Sequence, residues 1–330
     1  MSAKQTYVNG SYLTPATLNG YFGVSAATGH VHDGGGDATC APKIDLSASA
    51  NVTGQLPLAN IAYGALFNNF MTGLDTTNVG IYSSKLALNP GSCANSGNSC
   101  MMTLSSSCTK DTTSTWAEGT GVGGMADGVV AGDQTGYHFF VIGKSSDPNA
   151  VDAGFDLAES AYNLMSTPAV VSAGYNIWRR VGFAYRDSYV TQIRSFVQKG
   201  DYFIYDNITS SDTTSLSGST RTTLTLRAIP VGVSVQARIA MYAWTANQTN
   251  PANNAYFFDG IGAYTPAWVG VAASHTTFDW NPPPTEGRLW TDTAARIGVT
   301  SVSTGLTPAP LTPVVCGSIV LGYMDPRGKY

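Results

Sequence analysis

The stretch IPVGVSVQARIAMYAW, residues 229–244, constrains the fold most. Val231, Val233, Val235, Ala237, Ile239, Met241 and Ala243 alternate with Gly232, Ser234, Gln236, Arg238, Ala240, Tyr242 and Trp244. Period two over this length is a long strand with one buried face. A half-buried strand obliges the chain to build a sheet around it. Other segments supply partners. YHFFVIG (137–143) reads as a buried strand, and NIWRRVGFAYRD and VVCGSIVLGYMD read as further strands. In IRSFVQKGDYFIYD, Lys199-Gly200-Asp201 makes a hairpin turn. Helices with solvated faces need Glu, Lys and Arg. This chain has only three Glu and seven Lys, and 12% charged residues, so the sheet has no helical competitor over most of the sequence. The pattern predicts a mainly β protein, with an antiparallel, jelly-roll-like β-sandwich as its principal domain.

The first quarter reads differently. In YLTPATLNGYFG (12–23), Thr14 is a helix N-cap, Pro15 suits the first helical position, and Gly20 or Gly23 stops the helix. The glycines at 34–36 forbid regular structure, and KIDLSASANVTGQLPLANI is too short and polar to build a core. IAYGALFNNFMTGL (61–74) is the longer helix candidate, with strands from about Val79 onward. The expected division is therefore a short helical and extended N-terminal anchor over residues 1–75 and a β-sandwich over 76–330, with variable loops in 206–300.

Composition excludes several functions. A net charge of −4 without a basic block gives no hold on nucleic acid. No apolar run approaches the ~20 residues that cross a bilayer, so membrane insertion is not expected. The opening MSAKQTYVNG lacks a secretory apolar core, which points to folding in a cytoplasm. The five cysteines include no C-x-x-C pair. Cys93, Cys100 and Cys108 are read as free thiols, or as one local disulfide formed after release from a cell.

No nucleophile elbow, zinc-protease helix or Walker loop is present. GTGVGG (119–124) neither follows a clear strand nor opens a helix, which argues against a dinucleotide loop. His138 falls inside a predicted strand, as a packed residue. Asp279 and Asp292 are too ordinary among eighteen aspartates to single out a glycosidase pair. The expectation is a protein without enzymatic activity. His30 and His32, in TGHVHDGGGD, are different. On an extended strand they share a face, and two imidazoles are metal ligands. Two ligands hold a metal poorly, so a site needs three-fold symmetry. Otherwise the rings hydrogen-bond Asp33 or nearby backbone. Aromatic residues concentrate at 255–290, where Tyr264, Trp268, Trp280 and Trp290, with His275, form a candidate receptor- or glycan-binding patch on loops.

The segment GHVHDGGGDATCAPKIDLSASANVTGQLPLANI resembles the N-terminal segment of bacteriophage and prophage tail-fibre-like proteins. STWAEGTGVGGMADG, TGYHFFVIGKSSDPNAVDAGFDL and YNIWRRVGFAYRDSYVTQIRSFVQKGDYF are similar to a β-rich module of such proteins. The two matches cover roughly residues 5–62 and 114–205. The resemblance implies a homotrimeric virion protein, either a tail fibre that binds a bacterial surface glycan or protein receptor, or a head-fibre, decoration or baseplate component. A capsule depolymerase ranks third. It also implies attachment to other tail, baseplate or head proteins through the first segment, with Tyr12, Leu13, Tyr21, Phe22, Lys43, Ile44 and Leu46 as contacts. In the long tail fibres of T-even phages, G-x-H-x-H repeats hold iron on a three-fold axis. Here Gly29-His30-Val31-His32 is single, and iron or zinc is the implied cofactor.

Overall fold

A computed structural model describes residues 70–78, 83–129, 132–187, 192–206, 212–216, 221–245, 254–260, 269–272, 285–303 and 314–327. The chain divides into two units, Met1–Ala62 and Tyr63–Tyr330. The helix expected at 12–23, the glycine run and the winding segment after it lie outside the described residues.

Among the described residues, the second unit is built from β-strands in three sheets. The largest has thirteen strands. From edge to edge it runs Ile177–Tyr185, Gly136–Lys144, Asp147–Asp156, Val122–Met125, Cys108–Thr115, Lys85–Leu88, Thr76–Asn78, Phe196–Lys199, Tyr202–Tyr205, Val314–Met324, Gln236–Thr245 and Thr285–Trp290, with Asp212–Leu216 paired onto Val314–Met324. A three-stranded sheet joins Met71–Gly73, Gly91–Ala94 and Met101–Leu104, and a four-stranded one joins Thr222–Thr225, Arg296–Ser303, Asn254–Gly260 and Val269–Ala272.

A twisted sheet this wide curls rather than staying open. The curling brings residues far apart in strand order into contact. Phe183 of the first edge strand meets Tyr323 edge to face, with centroids 6.4 Å apart, and Tyr323 stacks on Phe203 at 4.7 Å. One apolar core, including Leu86, Phe139, Phe155, Val181, Phe203, Ile239 and Tyr323, lies between the facing surfaces. This is a sandwich-like closure. A smaller cluster, with Trp116, Phe140, Leu164 and Tyr175, packs beside two short helices, α1 (Tyr162–Ser166) and α2 (Pro168–Ser172).

The expected strands at 137–143, 177–185 and 314–324 are present, and the hairpin pairs Lys199 with Tyr202 around a two-residue Gly200-Asp201 turn. Gly200 supplies the positive φ of 59° that this turn needs.

Three expectations need correction. The long strand begins at Gln236, not at Val231. Val235, just before it, and its inward residues Ala237, Ile239 and Met241 are fully buried as the alternation requires, but Val231 is exposed, and Gly232 turns at φ 91° while donating its N–H to the Thr293 carbonyl. The helix expected over 61–74 does not reach its end. Met71–Gly73 is a strand against Gly91–Cys93, and Gly73 and Leu74 both have positive φ, which no helix accommodates. Among the described residues, strands therefore begin at Met71 rather than Val79. Finally, the main sheet is mixed. Cys108–Thr115 and Asp147–Asp156 both run parallel to Val122–Met125. A parallel pair usually needs a crossover of about a dozen residues. Here residues 116–121 suffice, because Gly119 and Gly121 take φ 102° and 81°. The first half of the glycine-rich GTGVGG stretch thus belongs to a tight return, and its second half lies in the next strand.

Candidate functional site

Two clusters bring together half of the buried charged side chains among the described residues. The first closes the C-terminal end of the chain. Asp325 is completely buried and Arg180 nearly so. Arg180 donates from both terminal nitrogens, Nη1 to Oδ2 at 2.5 Å and Nη2 to Oδ1 at 2.6 Å. Such a fork is the strong form of the carboxylate–guanidinium bond. Burial alone would raise the Asp325 pKa, but the Arg180 charge and hydrogen bonds, with the Arg327 backbone N–H at 2.8 Å, hold it below the ordinary carboxylate value. Arg327 extends the cluster. Its side chain donates to Asp201 at 3.1 Å and reaches the Leu74 carbonyl at 3.4 Å and Asp75 at 3.5 Å, while Arg179 Nε donates to the Arg327 carbonyl at 3.3 Å. Four distant parts of the sequence meet here.

His138 borders this cluster. It is 1% exposed, with Nε2 2.8 Å from the Val231 carbonyl and Nδ1 without a hydrogen-bond partner. That contact makes Nε2 the protonated nitrogen. Burial, and then the Arg180 charge, push its pKa down to about 4. The ring is a neutral, packed strand residue, as its position in YHFFVIG implied.

The second cluster surrounds Lys110. Cys108, Lys110 and Thr112 point inward on one strand. The Lys110 Nζ lies 2.9 and 3.0 Å from the two Asp152 oxygens and 2.7 Å from the Ala117 carbonyl, 5.0 Å from the Trp116 ring centroid. Asp152 also accepts from the Cys108 thiol at 3.2 Å, the Ala153 N–H at 2.6 Å and the Gly119 N–H at 2.9 Å. The glycine return at 116–121 closes over the pair. Gly124 leaves the space into which the Lys110 stem packs.

The candidate residues from the sequence divide by position. His30 and His32 lie outside the described residues, as do Tyr12, Leu13, Tyr21, Phe22, Lys43, Ile44 and Leu46. So do Tyr264, Trp268, His275 and Trp280. Trp290 is described, and it corrects the loop assignment: it ends the strand Thr285–Trp290, half-buried, opposite Gln236. Cys93, Cys100, Cys108 and Cys316 are free thiols, not disulfide partners. Burial first of all pushes Cys93, Cys108 and Cys316 up to about 12. Asp292 binds Arg296 and its own turn, and so serves structure. Among the described residues, no group of three or more His, Cys, Asp or Glu converges on a metal position, and no helix is long and apolar enough to cross a membrane.

Sequence reasoning passed over Arg180, Asp325, Arg327, Lys110 and Asp152. Two arginines in succession within an apolar strand are a legible signal, since buried guanidinium demands a partner. Lys110, in CTKDTTST, gives none.

No protein family model matches the chain, and no curated protein sequence matches it. Two solved structures align over much of its length. The crystal structure of the infectious bursal disease virus VP2 subviral particle is 10% identical, over 78% of this chain and 70% of that one, with a TM-score of 0.22. The structure of T=1 particles derived from infectious bursal virus is 11% identical, over 79% and 72%, with a TM-score of 0.19. Likeness at this level carries no argument about either chain.

Proposed function

We propose that this chain is a structural protein of a bacteriophage virion, a non-enzymatic tail fibre or receptor-binding protein that attaches the particle to its host. One observation carries the reading. The segment that resembles fibre N-terminal segments, residues 5–62, ends where the chain divides, between Ala62 and Tyr63. A fibre needs that arrangement: one part to fix the particle and another to meet the host. The second unit supports it by its use of charge. Its buried Arg, Lys and Asp side chains tie strands together, as suits a body that must hold its shape outside a cell. Affinity would be multiplied by the copies on each particle. On this reading the chain is a homotrimer, and His30 and His32 of three chains hold iron or zinc on the axis.

Purified virions of the phage that encodes the chain test the proposal. Quantitative mass spectrometry is expected to find the protein in particles in a multiple of three copies. The purified protein is expected to compete with particles for adsorption to host cells. Absence from particles overturns the virion assignment, and undiminished adsorption overturns receptor binding. For the metal, a His30→Ala/His32→Ala variant is expected to lose bound iron or zinc and to melt as a trimer at lower temperature. Unchanged values refute that site.

A further inference from the structure

We propose that Lys110 and Asp152 condense into an intramolecular isopeptide bond, a covalent cross-link between the strands Cys108–Thr115 and Asp147–Asp156. The argument starts from burial. The Lys110 side chain is 0% exposed and that of Asp152 3%. Holding two full charges away from water costs more than their attraction returns unless the geometry is excellent. Condensation removes both charges and leaves a neutral amide. Water is excluded from the pair, so the reverse hydrolysis lacks its reactant.

The geometry favours the same step. Nζ faces both carboxylate oxygens at 2.9 and 3.0 Å, which brings the carbon between them, Cγ, beside the nitrogen, and two groups held in this way behave as though at very high concentration. The Ala117 carbonyl, at 2.7 Å, and the Trp116 ring fix the nitrogen from behind. The N–H groups of Ala153 and Gly119 point one at each carboxylate oxygen, at 2.6 and 2.9 Å. The Ala153 N–H, on Oδ1, is a fixed dipole placed where negative charge grows when the nitrogen adds to the carbon, and the Gly119 N–H holds Oδ2, the oxygen that leaves. The Cys108 thiol is a third donor, at 3.2 Å.

The step balances without a co-reactant. The ammonium gives one proton to Oδ2, which yields a neutral amine and a neutral acid. The carboxyl group turns about its soft terminal torsion, and the Nζ lone pair forms a bond to Cγ while Oδ1 keeps its Ala153 contact. A second proton passes from nitrogen to the Oδ2 hydroxyl, the Cγ–Oδ2 bond breaks, and water leaves. The amide retains Oδ1 and one N–H, which remains directed at the Ala117 carbonyl. The link ties residues 42 positions apart in sequence and spans the parallel strand Val122–Met125 between them.

The test is a tryptic map of the full-length protein after folding and complete denaturation. The expected result is a branched peptide that joins the Lys110 and Asp152 segments. It is lighter than their sum by one water, with no cleavage after Lys110, because trypsin needs a free lysine. Lys110→Arg is expected to restore the full mass of the Asp152 peptide. Two separate peptides of full mass overturn the proposal. So does loss of one water from the Asp152 peptide while cleavage after Lys110 persists, since that marks a cyclic imide within the backbone. The wild-type map is decisive even where the variant fails to fold.

Discussion

Replacing Arg180 with methionine tests the reading of the C-terminal cluster most sharply. Arg180 is 4% exposed and Asp325 0%, so neither can turn to solvent when its partner goes. Methionine fills much of the volume of the arginine stem, which confines the loss to charge and two hydrogen bonds. The Asp325 carboxylate would keep the Arg327 backbone N–H at 2.8 Å but lose both guanidinium contacts. Breaking a buried pair from one side costs about 3–5 kcal/mol, because the surviving charge is left desolvated. In a unit of this size each kcal/mol moves the melting temperature by about 2–4 °C, so a fall on the order of 10 °C is expected by scanning calorimetry of the full-length protein at one scan rate. Arg180→Met/Asp325→Asn removes the stranded charge and is expected to recover at least about 2 kcal/mol of the loss. A fall under about 2 °C for the single variant, or a double variant that melts at the sum of the two single losses, would refute the cluster as a buried, coupled lock.

Three further outcomes follow from other sites. His138 is neutral in the folded state down to about pH 4, whereas an unfolded chain protonates it from about 6.5. Its contribution is complete above pH 6.5 and is lost as the pH falls toward 4, by about 3 kcal/mol in total. The slope of melting temperature against pH over that window should flatten in His138→Gln, and an unchanged slope excludes this group. At Gly136 an added Cβ would overlap the buried Phe183 ring. Gly136→Ala should therefore cost about 1–3 kcal/mol in chemical denaturation, and a neutral result would mean that the ring has room to move. Under native conditions an alkylating reagent should label Cys100 but spare Cys93, Cys108 and Cys316, which are buried and held as thiols. Peptide mapping that finds Cys316 labelled as fast as Cys100 contradicts the packing of its strand.

What could be read in the sequence was what is local. Phe196 to Tyr205 announces its hairpin because the turn residues and both flanking alternations lie within ten positions. Gln236–Met241 announces its buried face for the same reason. Alternation misleads where backbone geometry overrides it. Val231 and Val233 continue the pattern, but Pro230 and Gly232 turn the chain away first. The helix at 61–74 fails at its end because Gly73 and Leu74 take positive φ beside Pro90, a constraint set by a neighbouring strand. The buried clusters were illegible for a stronger reason. Arg180 and Asp325 stand 145 positions apart, and Lys110 and Asp152 stand 42 apart. Nothing local in either partner names the other. Closure of the main sheet brings Arg180 to Asp325, and the short strand Val122–Met125 sets the strands of Lys110 and Asp152 two apart.

That distance bears on how the fold can form. Arg180 lies on an edge strand whose sheet neighbour, Gly136–Lys144, is close in sequence, so this edge can assemble early. Its charge has no buried partner until Asp325 is in place, near the other end of the chain. The strand that carries Asp325 into position, Val314–Met324, pairs with Tyr202–Tyr205, Gln236–Thr245 and Asp212–Leu216. One late segment therefore joins several earlier ones and neutralises the charge waiting among them. Such long-range pairing is slow, because chain entropy is lost before the contacts repay it. A chain that stops before residue 314 would lack both that strand and the carboxylate. It would leave a desolvated guanidinium or an open sheet edge, and either state disfavours a closed body. The geometry thus makes closure of the sheet depend on the segment Val314–Asp325.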